Sequence, residues 1–355
     1  MAQIQSNQPT DAATNLQPDP AAAASDVSVP QGPGAPALPA PSQRSRSLQL
    51  PQFVSLMLGN RMAVIGLSVL LLMVLMALCA PLLTSYDPNA FADLPGQPPS
   101  STHWFGTNQQ GQDIFAQVVY GARISLFVGA TAALLATLIS AAVGMIAAYA
   151  GGWVDEAISL VVNIFLVIPT FPLLIVIASY IPAKGITPMI LIIAFTIWAG
   201  EARVLRSQAL SLRSRDFVLA AATAGESIWR IVFGEIMPNM TSRIAAGFFG
   251  AFVGAIGLEA GLEFLGFGNP QNTSWGMTLF WAQTNSALIQ GVWWHFTFAG
   301  MAIAITATAL IFVNYAIDEI SNPRLRKVKM PKPEKIAREE QSRTAAAAPT
   351  TGARA

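Results

Sequence analysis

With 355 residues, of which 53% are hydrophobic and 11% charged, the chain is far from a soluble globular domain, where about a quarter of residues carry charge. A net charge of +1 argues against a nucleic-acid binder held by overall electrostatics. Cys79 is the only cysteine, so an intrachain disulfide and a cysteine-based zinc cluster are both excluded. Mean hydropathy is positive despite a polar N-terminal stretch, so the apolar residues must be gathered into membrane spans.

Residues 1–47 are rich in Ala, Pro, Gln and Ser. Nothing there could bury a core, and disorder is expected. No apolar run follows a short basic start, which argues against a secretory signal. Residues 48–121 hold the first span, Met62 to Leu83, and then a polar Pro- and Gly-rich segment. The span is about the twenty residues that a bilayer requires. Residues 122–322 form the expected core. Its spans run from Ile124 to Ala150, from Ala157 to Ile181 with Pro169 and Pro172 inside, and from Ile186 to Ala202. Two more run from Arg243 to Gly268 and from Val292 to Ile317, the last entered through the interfacial pair Trp293 and Trp294. The prolines read as a kink. Residues 323–355 are a basic, then Ala-rich tail, also expected to be disordered.

Between the fourth and fifth spans lies a polar, helix-forming loop, 203–243, centred on DFVLAAATAGESIWRIVFGEIMPN from Asp216 to Asn239. Alanines favour a helix from Asp216 to Ala224, with Asp216 available to cap it. Gly225 suits a left-handed helix end. A second helix, with Ile228, Ile231, Val232 and Ile236 at helical spacing, is expected to stop at Pro238.

This loop resembles the cytoplasmic Glu-Ala-Ala loop of permease subunits in binding-protein-dependent ABC importers. Ala220, Ala221, Gly225 and Pro238 match its pattern, and Leu219 stands where the family usually has Glu. Further matches to the peptide-type branch follow in order: HWFGTNQQGQDIFAQVVYGARISLFVG before the second span, LEFLGFG and SWG after the fifth, and DEISNPRLRK after the sixth. Gln112, Glu263 and Asn322 depart from the family at positions where Arg, a small polar residue and Asp are usual. The resemblance implies an all-α membrane protein of six transmembrane helices, an ABC importer permease (MetI-like) core with a cytoplasmic coupling-helix loop. It implies half of a translocation pore for dipeptides or oligopeptides, with nickel chelates or oligosaccharides as alternative cargo. A second homologous permease, two cytoplasmic ATPase subunits that use ATP and Mg, and an extracytoplasmic binding protein would be its partners. Asp216, Ala220, Ala221, Gly225 and Pro238 would carry the coupling to the ATPases.

In the fifth span Gly247, Gly250, Gly254, Gly257 and Gly261 alternate at spacings of three and four. They fall on one helical face, where another helix can come close. Glu259 and Glu263 project from the opposite face. Carboxylates inside a membrane are candidates for a substrate path or gate; a structural role is the competing reading.

Basic residues set the orientation. Arg44, Arg46 and Arg61, then six arginines between Arg203 and Arg243, then nine basic residues from Arg324 to Arg354 fall on one side. Arg123 and Lys184 fall on the other. The crowded side is expected to be cytoplasmic, with both termini there, in the cytoplasmic (inner) membrane of a bacterium. No Walker A run is present, and His103 and His295 show no metal-ligand spacing. The chain is therefore expected to bind neither metal nor cofactor itself and to be no enzyme. An intramembrane hydrolase using Glu259 and Glu263 and a non-transporting scaffold are the rival classes.

Overall fold

The computed structural model describes residues 57–321. The tails assigned to 1–47 and 323–355, and the Asn322 position, lie outside these residues. Among the described residues all regular structure is helical apart from one isolated bridge, Thr107 to Asp113. Helix α1, Arg61–Leu78, begins at Asn60, whose side chain accepts from the backbone N–H groups of Met62 and Ala63. Its far end is closed by Arg123, which donates to the carbonyls of Ala77 and Leu78 at 2.5 and 3.0 Å. Gly66 lets α1 settle on a later helix, since a Cβ there would stand 2.6 Å from the Ala309 carbonyl.

Residues 84–113 fold on themselves instead of forming a loose loop. The Asn108 side chain accepts from the N–H groups of Gln110 and Gln112. Asp113 accepts from Ala116 N–H, capping the next helix, and meets His103 Nδ1 at 2.7 Å. Both histidines belong to this segment's contacts, because His295 lies 3.0 Å from Gln109. Gly106, at φ +74°, sits against the Trp294 indole, which no side chain would allow.

Helix α2, Ile114–Ala150, is 37 residues long and is the central strut. At 1.5 Å per residue it is about 55 Å long, enough to cross a bilayer with its headgroups. It starts well before the expected Ile124, so the Tyr120-Gly-Ala-Arg-Ile-Ser-Leu126 motif is its first part and not a connector. Helix α3, Gly152–Val167, and α4, Thr170–Tyr180, were expected as one kinked span, but they are bent by 93° across a break. Pro169 causes the break by forcing Ile168 out of the helical region, to φ −76° and ψ 125°. Pro172 is tolerated because it falls in the first turn of α4, where N–H groups have no intrahelical partner.

Helix α5, Ile186–Arg213, lies along α2 and runs past Ala202 into the loop. Gly144 makes the approach possible: a Cβ there would meet the Ala202 carbonyl at 2.7 Å. Ser140 donates to the Trp198 carbonyl across the same contact. Helix α6, Asp216–Thr223, lies in the loop, α7 is Thr241–Phe264, and α9 is Trp293–Ser321. Between the last two sits α8, Trp275–Thr284, which the sequence did not suggest because WGMTLFWAQT has no apolar face of its own. Among the described residues five helices are long and apolar enough to cross a membrane, or six if α3 and α4 form one span.

Candidate functional site

The loop is built on the ends of α2 and α5. Val218, Ile231, Val232, Ile236 and Met240 are buried there against Met145, Ala148, Leu205 and Ala209. Asp216 does not cap α6; Arg215 occupies the cap position and Asp216 stands in the first turn, where its charge suits the helix dipole. At the other end Gly225 has φ +79°, Gly225 N–H donates to Ala222 C=O, and Glu226 N–H donates to Ala221 C=O. That pair of bonds is a Schellman closure. Pro238 does not end the second helix. The chain passes from Ile228–Arg230 through a π turn, Ile231–Ile236, and a 3-10 turn, Met237–Met240, straight into α7. Pro238 falls at the start of the 3-10 turn, where a missing N–H costs no bond within that turn. Of the four residues at helical spacing, Ile231, Val232 and Ile236 are buried and Ile228 is exposed. Leu219, Trp229 and Phe233 in the same loop are also exposed, and the two aromatic rings stack at 5.9 Å.

The glycine face of α7 does not meet one helix. A Cβ at Gly247 would touch Glu201 of α5, one at Gly250 would stand 3.4 Å from Asn314 of α9, and one at Gly261 would stand 2.8 Å from the Phe171 ring of α4. A Cβ at Gly254 or Gly257 would meet nothing within 4 Å among the described residues.

Glu259 and Glu263, 0% and 3% exposed, are sealed between α7, α2 and α8. The Ser125 hydroxyl donates to Glu259 Oε1 at 3.0 Å and itself accepts from Trp275 N–H at 3.2 Å. Ser274 donates to Glu263 Oε2 and accepts from Met277 N–H, so it caps α8 and binds the carboxylate at once. Gly276 and Gly268 exist to admit Glu263: a Cβ at Gly276 would lie 2.7 Å from its Oε2 and 2.9 Å from Ala260 Cα, and one at Gly268 would lie 2.9 Å from its Cγ. GARIS, distant in sequence from the neighbouring LEFLGFG and SWG motifs, therefore converges with them on one polar node. No cation is among these partners, and neither carboxylate is half of an ion pair among the described residues. Neither lines the cavity of about 290 Å³ between Asn89, Gln117, Thr273 and Trp281. Ser125 and Ser274 were missed as functional residues; their motifs were visible, but nothing in sequence pairs residue 125 with 259. No group of His, Cys, Asp and Glu among the described residues could hold a metal ion.

Fold and site together define a multi-span helical membrane protein that suspends a short, apolar-faced helix pair from its bundle. The family model described as binding-protein-dependent transport system inner membrane component matches residues 140–327, and that for the N-terminal TM domain of oligopeptide transport permease C matches residues 55–99. The chain is 34% identical over 271 residues to the oligopeptide transport system permease protein OppC of Bacillus subtilis (strain 168), covering 76% of this chain and 88% of that one. It is 32% identical over 274 residues to the dipeptide transport system permease protein DppC of the same organism, covering 76% and 83%. The chain belongs to the binding-protein-dependent transport system inner membrane component family.

Proposed function

We propose that this permease subunit forms half of the pore of an ATP-driven importer of peptides. Relatives named for oligopeptide and dipeptide transport support the cargo; nickel chelates and oligosaccharides are the alternatives. The observation that carries the mechanism is the exposure of four large apolar side chains, Leu219, Ile228, Trp229 and Phe233, on the Schellman-closed loop, two of them stacked. Solvent-facing apolar surface of this kind marks protein interfaces. In this reading the partners are two cytoplasmic ATPase subunits, which bind ATP and Mg and seat α6 with Ala220, Ala221 and Gly225. A second homologous permease covers the open glycine face at Gly254 and Gly257, and a binding protein delivers cargo from outside. Both chain termini and the loop face the cytoplasm, in keeping with the placement of basic residues. Closure of the ATPases pushes the docked loop, tilts the spans and opens the pore outward.

Glu259 and Glu263 act in this scheme as a gate element that moves α7 together with α2 and α8. Reconstitution with the ATPases, the second permease and the binding protein tests the reading. Radiolabelled trialanine should accumulate in proteoliposomes only with ATP and binding protein, and Glu259→Gln or Glu263→Gln should slow uptake in a complex that assembles normally. Accumulation of a nickel chelate or maltotriose in place of trialanine would replace the cargo, and full uptake by both Gln variants would remove the gate.

A further inference from the structure

We propose that Arg243 is the positioning residue that carries movement of the loop into the membrane bundle, by holding α5 and α9 to the first turn of α7. The loop leaves the bundle through α5 and returns through α7, and the return limb is its weak part. Ile231–Met240 is a π turn followed by a 3-10 turn, helix types with poorer hydrogen-bond geometry than the α-helix. A push on α6 would be spent on bending this limb unless something braces it where it enters the membrane.

Arg243, three residues beyond the 3-10 turn, supplies that brace. Its Nη2 lies 2.9 Å from Glu201 Oε2 on α5, and its Nη1 lies 3.6 Å from Asp318 Oδ1 on α9. The Arg243 and Glu201 side chains are 29% and 17% exposed, so the pair is largely withdrawn from solvent. The neighbouring surface of α7 is cut to fit: a Cβ at Gly247 would stand 2.5 Å from Glu201 Oε1. At the same end Asn60, the cap of α1, donates to Glu319 Oε2 of α9 at 2.8 Å. Four helices are thus joined where the loop begins and ends. A guanidinium suits the task because its planar fork reaches acceptors on two different helices, whereas an ammonium offers one point charge.

The inference rests on the docking reading of the loop. Its test uses the assembled complex in proteoliposomes, with Arg243→Gln, Arg243→Lys and the double variant Glu201→Gln/Arg243→Gln. Losing one partner leaves a buried charge unpaired and endangers assembly, while losing both does not. The double variant is therefore decisive where the single one fails to assemble. Two quantities are read: trialanine moved per ATP hydrolysed, and the stimulation of ATP hydrolysis by the binding protein, which needs no knowledge of the cargo.

The double variant should retain its ATPase subunits and its unstimulated hydrolysis, while both coupling measures fall about tenfold, within the range usual for linked sites. Arg243→Lys should lie between it and the parent. Parental coupling in the double variant would overturn the proposal and leave the pair as packing, as would loss of the ATPase subunits from a double variant that still folds. If the parent itself retains no ATPase subunits, it is the docking reading that fails.

Discussion

Glu263 is enclosed by two glycines and a serine, which do two different jobs. Ser274 supplies the hydroxyl, while Gly268 and Gly276 remove the side chains that would occupy the carboxylate's place. At Gly276 the obstacle includes Ala260 Cα, which is backbone and cannot swing aside. Gly276→Ala should therefore destabilise the detergent-solubilised chain by about 1–3 kcal/mol, the usual cost of overpacking. Gly300→Ala, on a helix with nothing within 4 Å of its Cβ, should leave stability unchanged or raise it by about 0.5–1 kcal/mol through helix propensity. Thermal melts of the two variants side by side check this; equal melting would mean that the node is loose. Glu259 and Glu263 were legible in the sequence because carboxylates are rare in a span. Their serine partners were not, because a side-chain hydrogen bond between residues 125 and 259 leaves no trace in a single sequence.

Among the elements, α7 presents two kinds of glycine on one face. Gly247 and Gly261 are filled by Glu201 and Phe171 of the same chain, whereas Gly254 and Gly257 stand open. Gly254→Leu should consequently leave the melting of the isolated subunit unchanged and weaken pairing with the second permease, read as loss of co-purification. An isolated subunit destabilised by this change would show that the glycine serves internal packing instead. The stripe itself could be read from its spacing, but which glycines meet their own chain could not. Helix type was similarly hidden at Pro238: proline in a sequence signals a stop, yet a π turn before it carries the chain through. At Pro169 the local rule was decisive, because the preceding Ile168 is driven to extended geometry. Helix α8 escaped notice because its stability comes from Ser274 and from burial of Trp275 and Met277 between other helices.

For the whole molecule, apolar runs and the order of motifs in the sequence were enough to read the bundle, because a membrane leaves helices as the simplest way to satisfy the backbone. The folded state of residues 84–113 was not readable, since its bonds run between amide and backbone groups with no periodic pattern. This segment and the loop lie at opposite ends of α2, so a single labelling pair tests the orientation. With Cys79 replaced, cysteines at Ser101 and Ser214, both exposed, should differ in intact cells: only position 101 should react with an impermeant maleimide. Labelling at 214 alone would invert the protein.

In the proposed mechanism the loop couples this bundle to ATP hydrolysis in other subunits, and Ala220 gives direct access to that step. Ala220 is exposed on α6 beside Leu219 and stands outside the apolar cluster beneath the loop, which Ala221 joins. An aspartate there would not disturb the chain but would be buried unpaired in a docked complex, at a cost of several kcal/mol. The measurement is co-purification of the ATPase subunits with Ala220→Asp and with the parent from the same membranes, with permease yield as the control. The variant permease should be recovered in normal yield with the ATPase subunits lost; ATPase subunits retained at parental levels would rule out coupling through this face of the loop.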